Sequence, residues 1–132
     1  MPFLQHRNFL RNVLLADAIT CVVSGLLMTL APAPLANLTG LPANLIAASG
    51  ASLLPVAAFI TFVATRDPVW PAGTWIVIIG NIGWVAGCLV LLWGGSVNPT
   101  VFGAVFLLAQ AIAVAGLTCL EYLGLVHRPA VA

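Results

Sequence analysis

Few side chains in this sequence can do chemistry, and those few stand inside apolar runs. Asp17 is central in "VLLADAIT" (Val13 to Thr20), Asn81 opens "NIGWVAG", Gln110 lies in "LLAQAIAV" and Glu121 in "LEYLGL". A carboxyl group taken out of water disfavours its charged form. Ionisable side chains inside membrane segments face partners, cavities or substrate paths rather than lipid. Asp17 therefore has two readings. In one it binds and releases a proton or cation. In the other it is an interhelical hydrogen-bond fastener held by Asn81 or Thr20. A fastening bond in a membrane contributes about 0.6 kcal/mol on average, while inserting a charged Asp at mid-span costs about 2.5 to 3.5 kcal/mol. A fastener alone offsets the insertion only if Asp17 is neutral. Glu121, close to the end of the last apolar run, reads as an anchor snorkelling to the interface. Asn81 and Gln110 read as glue between helices, and Trp84, three residues after Asn81, as core.

Other reactive groups lack partners. Cys21, Cys88 and Cys119 fall at different depths of different runs, which argues against a shared metal site, and they read as small packing residues. No apolar run contains a His, so bis-histidine haem ligation is excluded. No metal or cofactor is expected. "NLT" (Asn37 to Thr39) matches a glycosylation sequon, a weak signal with no sign of a eukaryotic secretory route.

The elements that position these residues follow from composition. The chain has 132 residues, of which 62% are hydrophobic and 5% charged, against about 25% charged in soluble domains. Mean hydropathy is +1.16. A core of this size cannot hide so much apolar surface from water, so the solvent is lipid. The formal net charge is +1 and there is no Lys, which leaves no basic patch for nucleic acid. No Asp, Glu, Lys or Arg occurs from Ala18 to Thr65, nor from Pro68 to Leu120. Each tract is too long for one span and holds turn residues near its middle, so each is a helical hairpin. The expected fold is a single all-α domain, 1–132, a four-helix transmembrane bundle with spans at about 9–30, 42–65, 74–93 and 101–125. The first span follows a basic start and ends near "APA" (Ala31 to Ala33), as a cleaved signal would. Cleavage would strand the first hairpin, and the span is expected to be retained.

Arg7, Arg11, Arg66 and Arg128 occupy the N-terminal segment, the second loop and the C-terminal tail, with His6 and His127 on the same side. By the positive-inside rule both termini are cytoplasmic. Trp70, Trp75 and Trp93 fall near span ends, as in an aromatic belt. Asp17 is six residues past Arg11, roughly 9 Å along the helix. Gln110 is roughly 16 Å further toward the outside than Glu121. Asp17, Thr20, Cys21, Ser24, Gly25 and Met28 share one helical stripe. Asn81, Trp84 and Cys88 share another, and Gln110, Leu117, Thr118 and Glu121 a third. Turning these stripes inward sets Asp17 near Asn81, with Glu121 in reach of Arg11 or Arg7. Small residues mark expected helix-packing faces: Ser49 and Gly50 in the second span, Gly80, Gly83 and Gly87 in the third, Ala109 and Ala113 in the fourth. Pro55 is expected to kink the second span.

"LADAI", "SGLLM", "NIGWVAG", "LLAQAIAV" and "LEYLGL" together resemble a group of small four-span bacterial inner-membrane proteins. That resemblance implies a cellular address and brings no activity. In layout the chain also resembles the small multidrug resistance transporters, which have four short spans and an essential carboxylate in the first; Asp17 stands where they have Glu. It departs from them in its strong Arg bias and sparse aromatic surface. Tiny loops, small-residue faces and the lack of any catalytic dyad make an accessory or assembly subunit of a larger bacterial membrane complex the leading expectation. The expected partners are the bilayer and another membrane protein or a second copy. The alternative is a proton-coupled transporter of small or lipophilic compounds, a homodimer acting through Asp17 with Asn81, Trp84 and Gln110 along the path. An enzyme is the weakest reading, because Asp17 and Glu121 are expected at different depths with no nucleophile beside them.

Overall fold

The structure, a computed structural model, describes residues 8–127; His6, Arg7 and Arg128 lie outside them. It is all helical among the described residues: α1 Phe9–Leu30, α2 Pro32–Thr39, α3 Ala43–Ala64, α4 Pro71–Trp93 and α5 Val101–Val126. All but α2 are long and apolar enough to cross a membrane, which suits a multi-pass membrane protein.

Two element boundaries differ from the sequence expectation, and proline explains both. The segment after α1 is not a plain loop but the helix α2. Pro32 and Pro34 sit in its first turn, where the missing N–H groups have no intrahelical acceptor to lose. Gly40 ends the helix at φ 73°, a left-handed conformation suited to glycine. Likewise α4 starts at Pro71 rather than at Thr74, with Trp70 extended before it. By contrast α3 runs through Pro55 as one helix.

Packing builds on these elements unevenly. α1 lies along α3 and α4 along α5, the two pairs meeting mainly through α1 and α5, while α3 and α4 adjoin little. Gly25 and Gly50 set the first pair. A Cβ on Gly50 would stand 2.6 Å from the Met28 Cβ and 3.0 Å from the Gly25 carbonyl oxygen, so the two backbones are already in contact. At the arginine-bearing end, Arg11 joins the same pair: its Nε donates to the Ala64 carbonyl at 2.8 Å and Nη2 to the Arg66 carbonyl at 2.9 Å. These carbonyls lie at the C-terminal end of α3, where intrahelical donors run out. At the other end α2 ties the pairs together. The Thr100 N–H donates to the Thr39 carbonyl at 2.9 Å and the Thr100 hydroxyl to the Leu38 carbonyl at 2.5 Å. That hydroxyl also accepts from the Gly103 N–H and caps α5. Leu14, Ile46, Ile60, Val63 and Leu125 are fully buried between the helices.

Candidate functional site

One amide joins three helices. Asn81 of α4 donates through Nδ2 to Asp17 Oδ2 of α1 at 2.8 Å and to Glu121 Oε1 of α5 at 3.0 Å. A side-chain amide nitrogen carries two hydrogens, so it can serve both acceptors at once. All three residues are buried, with 2%, 8% and 0% exposure for Asp17, Asn81 and Glu121. The two carboxyl groups are thereby set side by side on one amide nitrogen. Glu121 Oε2 is buried with no donor near it. Cys21, one turn along from Asp17, adds a weak Sγ contact to Asp17 Oδ1 at 3.9 Å.

This arrangement corrects three expectations. Glu121 is not an interfacial anchor beside Arg11; it is enclosed with Asn81, and Arg11 turns to the end of α3 instead. Nor are Asp17 and Glu121 separated by depth. Gly124 admits Phe9 and Leu10 against α5, which draws the last turns of α5 close to α1, and the extra methylene of Glu bridges the rest. Finally, Thr20 does not hold Asp17. Its hydroxyl returns to the Ala16 carbonyl at 2.9 Å, the usual outlet for a Thr within a helix.

Asp17 and Asn81 are the buried polar part of a wall to which Thr20, Ser24, Ser52 and Gln110 also belong. They border a cavity of about 570 Å³ with Cys21, Ser52, Phe59 and Trp84 among its lining, a volume typical of small-molecule sites (about 300 to 1,000 Å³). Glu121 stands behind that wall, not on it. A second cavity of about 460 Å³, bordered by Met28, Leu41, Ile46, Cys88 and Leu107, lies toward the α2 end. Trp84 and Gln110 line both. The Trp84 indole N–H donates to Gln110 Oε1 at 3.2 Å, so one α4–α5 hydrogen bond stands where the two cavities meet.

The small residues divide between packing and lining. Gly50 is at the α1–α3 contact, and Ser49 borders the second cavity. Gly80, Ala109 and Ala113 border the first cavity, Gly83 and Gly87 the second. A Cβ on Gly80, Gly83 or Gly87 would meet nothing within 4 Å, so these glycines make no close helix contact within the chain. Sequence reasoning missed the part played by α3. Ser52, Val56 and Phe59 recur at helical spacing and all line the first cavity; that stripe was the available signal.

Chemically, the cluster can hold a proton. Like charges bonded to one amide repel, and a proton or a cation between them would relieve that repulsion. Arg11 is engaged at the end of α3, and Arg66 packs over the Phe62 ring. Among the described residues no group of three His, Cys, Asp or Glu could hold a metal ion.

Fold and site together define an apolar helical bundle, long enough in four of its helices to span a membrane, with a carboxyl pair beside a half-open cavity between the helices. No family model matches the chain, and no curated protein or solved structure does either.

Proposed function

We propose that the chain is a multi-pass protein of a bacterial inner membrane, both termini cytoplasmic, that moves small lipophilic compounds in exchange with a proton. One observation carries this reading: the Asn81 amide holds Asp17 and Glu121 together at the wall of a ligand-sized cavity, and a second cavity follows beyond the Trp84–Gln110 bond. In it, Asp17 meets the cargo, Glu121 shares the proton, Asn81 holds the two in register, and Trp84 with Gln110 separates the two halves of the path. A homodimer supplies the cover that α4 and α5 lack. The proposal includes no catalysis, resident cofactor or nucleic-acid partner.

The test is flux in proteoliposomes that enclose a pH-sensitive dye, challenged with a panel of small lipophilic compounds. Asp17→Asn should accumulate as folded protein and reduce proton-coupled flux to that of empty liposomes. Coupled flux at the level of the unaltered protein in that variant would sink the reading.

A second reading, the accessory or assembly subunit of a larger membrane complex, rests on a separate observation. Gly80, Gly83, Gly87 and Gly116 have open space where a side chain would project. Small residues of this kind let a neighbouring helix approach closely. Gentle purification from the native membrane separates the readings. A larger protein recovered at fixed ratio supports the accessory role, and a lone monomer or homodimer counts against it.

A further inference from the structure

Two donors at the first cavity have no acceptor among the described residues. An indole N–H can only donate, so the Trp84 bond to Gln110 Oε1 fixes which way that amide faces and leaves its nitrogen unmatched. Ser24 of α1 is the second. Thr20, Ser52, Thr61 and Thr118 each return the hydroxyl to a carbonyl of their own helix, the usual outlet within a helix, whereas Ser24 makes no such bond. Ser24 and Gln110 are half-buried and both line the cavity. At about 1.5 Å per residue, Ser24 lies about 9 Å inside the α2 end of α1, and Gln110 about 14 Å inside the same end of α5. A polar group left unmatched in hydrocarbon is costly, so both donors call for an acceptor that reaches this depth. The ester carbonyls of a phospholipid are tethered to a charged headgroup, which stays in water. The acceptor must therefore belong to an uncharged molecule.

The remaining space describes the rest of that molecule. Phe59 and Trp84 bring aromatic rings to the first cavity, which suits a flat, unsaturated ring. The second cavity meets the first at Trp84 and Gln110, and Met28, Ile46, Cys88, Leu91 and Leu107 give it an apolar lining suited to a hydrocarbon tail. Entry is from the side. α3 and α4 adjoin little, and Ser52, Val56, Ile76 and Gly80 are exposed on these two helices while lining the first cavity.

We propose that the two cavities together form a binding site for a quinone with a long apolar tail. The ring lies in the first cavity beside Trp84, one ring carbonyl accepts from the Ser24 hydroxyl and the other from the Gln110 amide, and the tail runs through the second cavity toward α2. This site stands apart from the carrier reading. It uses no bond to Asp17 and no proton step, and a quinone held here need not cross the membrane.

The experiment uses the full chain in nanodiscs of ether-linked phosphatidylcholine, a lipid without ester carbonyls. The probe is a decyl-benzoquinone isotope-labelled at both carbonyls, and infrared spectroscopy reads its C=O stretch, which falls in frequency when the oxygen accepts a hydrogen bond. A down-shifted band should grow to saturation at one quinone per chain. Ser24→Ala and Gln110→Leu should each remove about half of that band and weaken binding about threefold to tenfold, and the double variant should remove all of it. Ser24→Ala breaks no bond of the fold and decides the matter if Gln110→Leu fails to fold. Saturable binding without a shifted band, or a shifted band that both variants keep, overturns the assigned donors and the proposal with them. Absence of saturable binding overturns it as well. A shifted ester band from labelled dioleoylglycerol in preference to the quinone would give the site to a lipid and overturn the assigned class. None of these outcomes depends on the Asp17→Asn flux assay, so the two readings fail separately.

Discussion

The two helix pairs use the same residue for opposite ends. In α1–α3, Gly25 and Gly50 bring backbones into contact and leave no room for a methyl group. In α4–α5, Gly80, Gly83, Gly87 and Gly116 face open space. Coverage differs in step: 39% of the most apolar stretch of α1 is buried, against 17% of that of α5. The polar residues divide along the same line. Of Asp17, Asn81, Trp84, Gln110 and Glu121, only Asp17 comes from the tightly packed pair. A rigid pair thus presents one carboxyl, and the pair with room around it carries the groups that answer it. Close packing alone makes a scaffold, and the space left beside it makes a site.

The comparison is broken most forcefully at Gly50. Gly50→Val would put Cβ 2.6 Å from that of Met28, a separation that only movement of α1 away from α3 relieves. Overpacking of this kind costs up to about 3 kcal/mol. The midpoint of reversible unfolding in mixed micelles should fall accordingly, and an unchanged midpoint would show that the pair is not set by this contact. Asn81→Ala attacks the link between the pairs instead. It removes both bonds to the carboxyl groups, and with membrane hydrogen bonds worth about 0.6 kcal/mol on average and 1.7 at most, the loss should be about 1 to 2 kcal/mol. Combining it with Glu121→Leu should cost less than the two separate effects added. Full additivity would mean that the Asn81–Glu121 bond contributes nothing.

How much of this was legible in the sequence depends on what sets each feature. The spans were legible because charge-free tracts bounded by Pro and Gly are a one-dimensional signal, and the four long helices lie close to the expected ranges. Proline was ambiguous. Pro32, Pro34 and Pro71 can end one helix or open the next, and only the chain's direction after them decides. Helical periodicity places Asp17, Asn81 and Glu121 on stripes, but it carries no measure of how far one helix slides along another. The fit of Gly124 against Phe9 and Leu10 sets that slide, so the partner of Glu121 was out of reach. The cavities were invisible for a related reason: a void belongs to four helices at once, and Phe59 or Ser52 taken alone is an ordinary span residue.

A smaller effect is expected where the loose pair is held by side chains. Trp84→Phe keeps an aromatic ring between the two cavities but deletes the bond to Gln110 Oε1. Stability should drop by only about 0.6 kcal/mol, within reach of a careful unfolding titration. Gln110→Leu should produce the same loss, and the double variant no more than either single one. Two independent losses that add would show that this bond is not the link between α4 and α5 at that level.

The smallest effect should come from Gly83→Val, and there the comparison is sharpest. The Cβ that forces helices apart at Gly50 meets nothing within 4 Å at Gly83. Valine loses some side-chain freedom in a helix, yet it removes the larger backbone penalty of glycine, so the isolated protein should change by no more than about 0.5 kcal/mol. The informative quantity is the difference between two preparations. In a dilute detergent monomer, Gly83→Val should unfold with the unaltered protein. On the proposed reading that a second copy or a larger protein covers the α4 face in the membrane, the added methyl groups would occupy the space a neighbouring helix needs, and cross-linking to that neighbour should fall. A large loss of stability in the monomer would mean that the open side of α4 is packed from within the chain, and the contrast between the two helix pairs would fail.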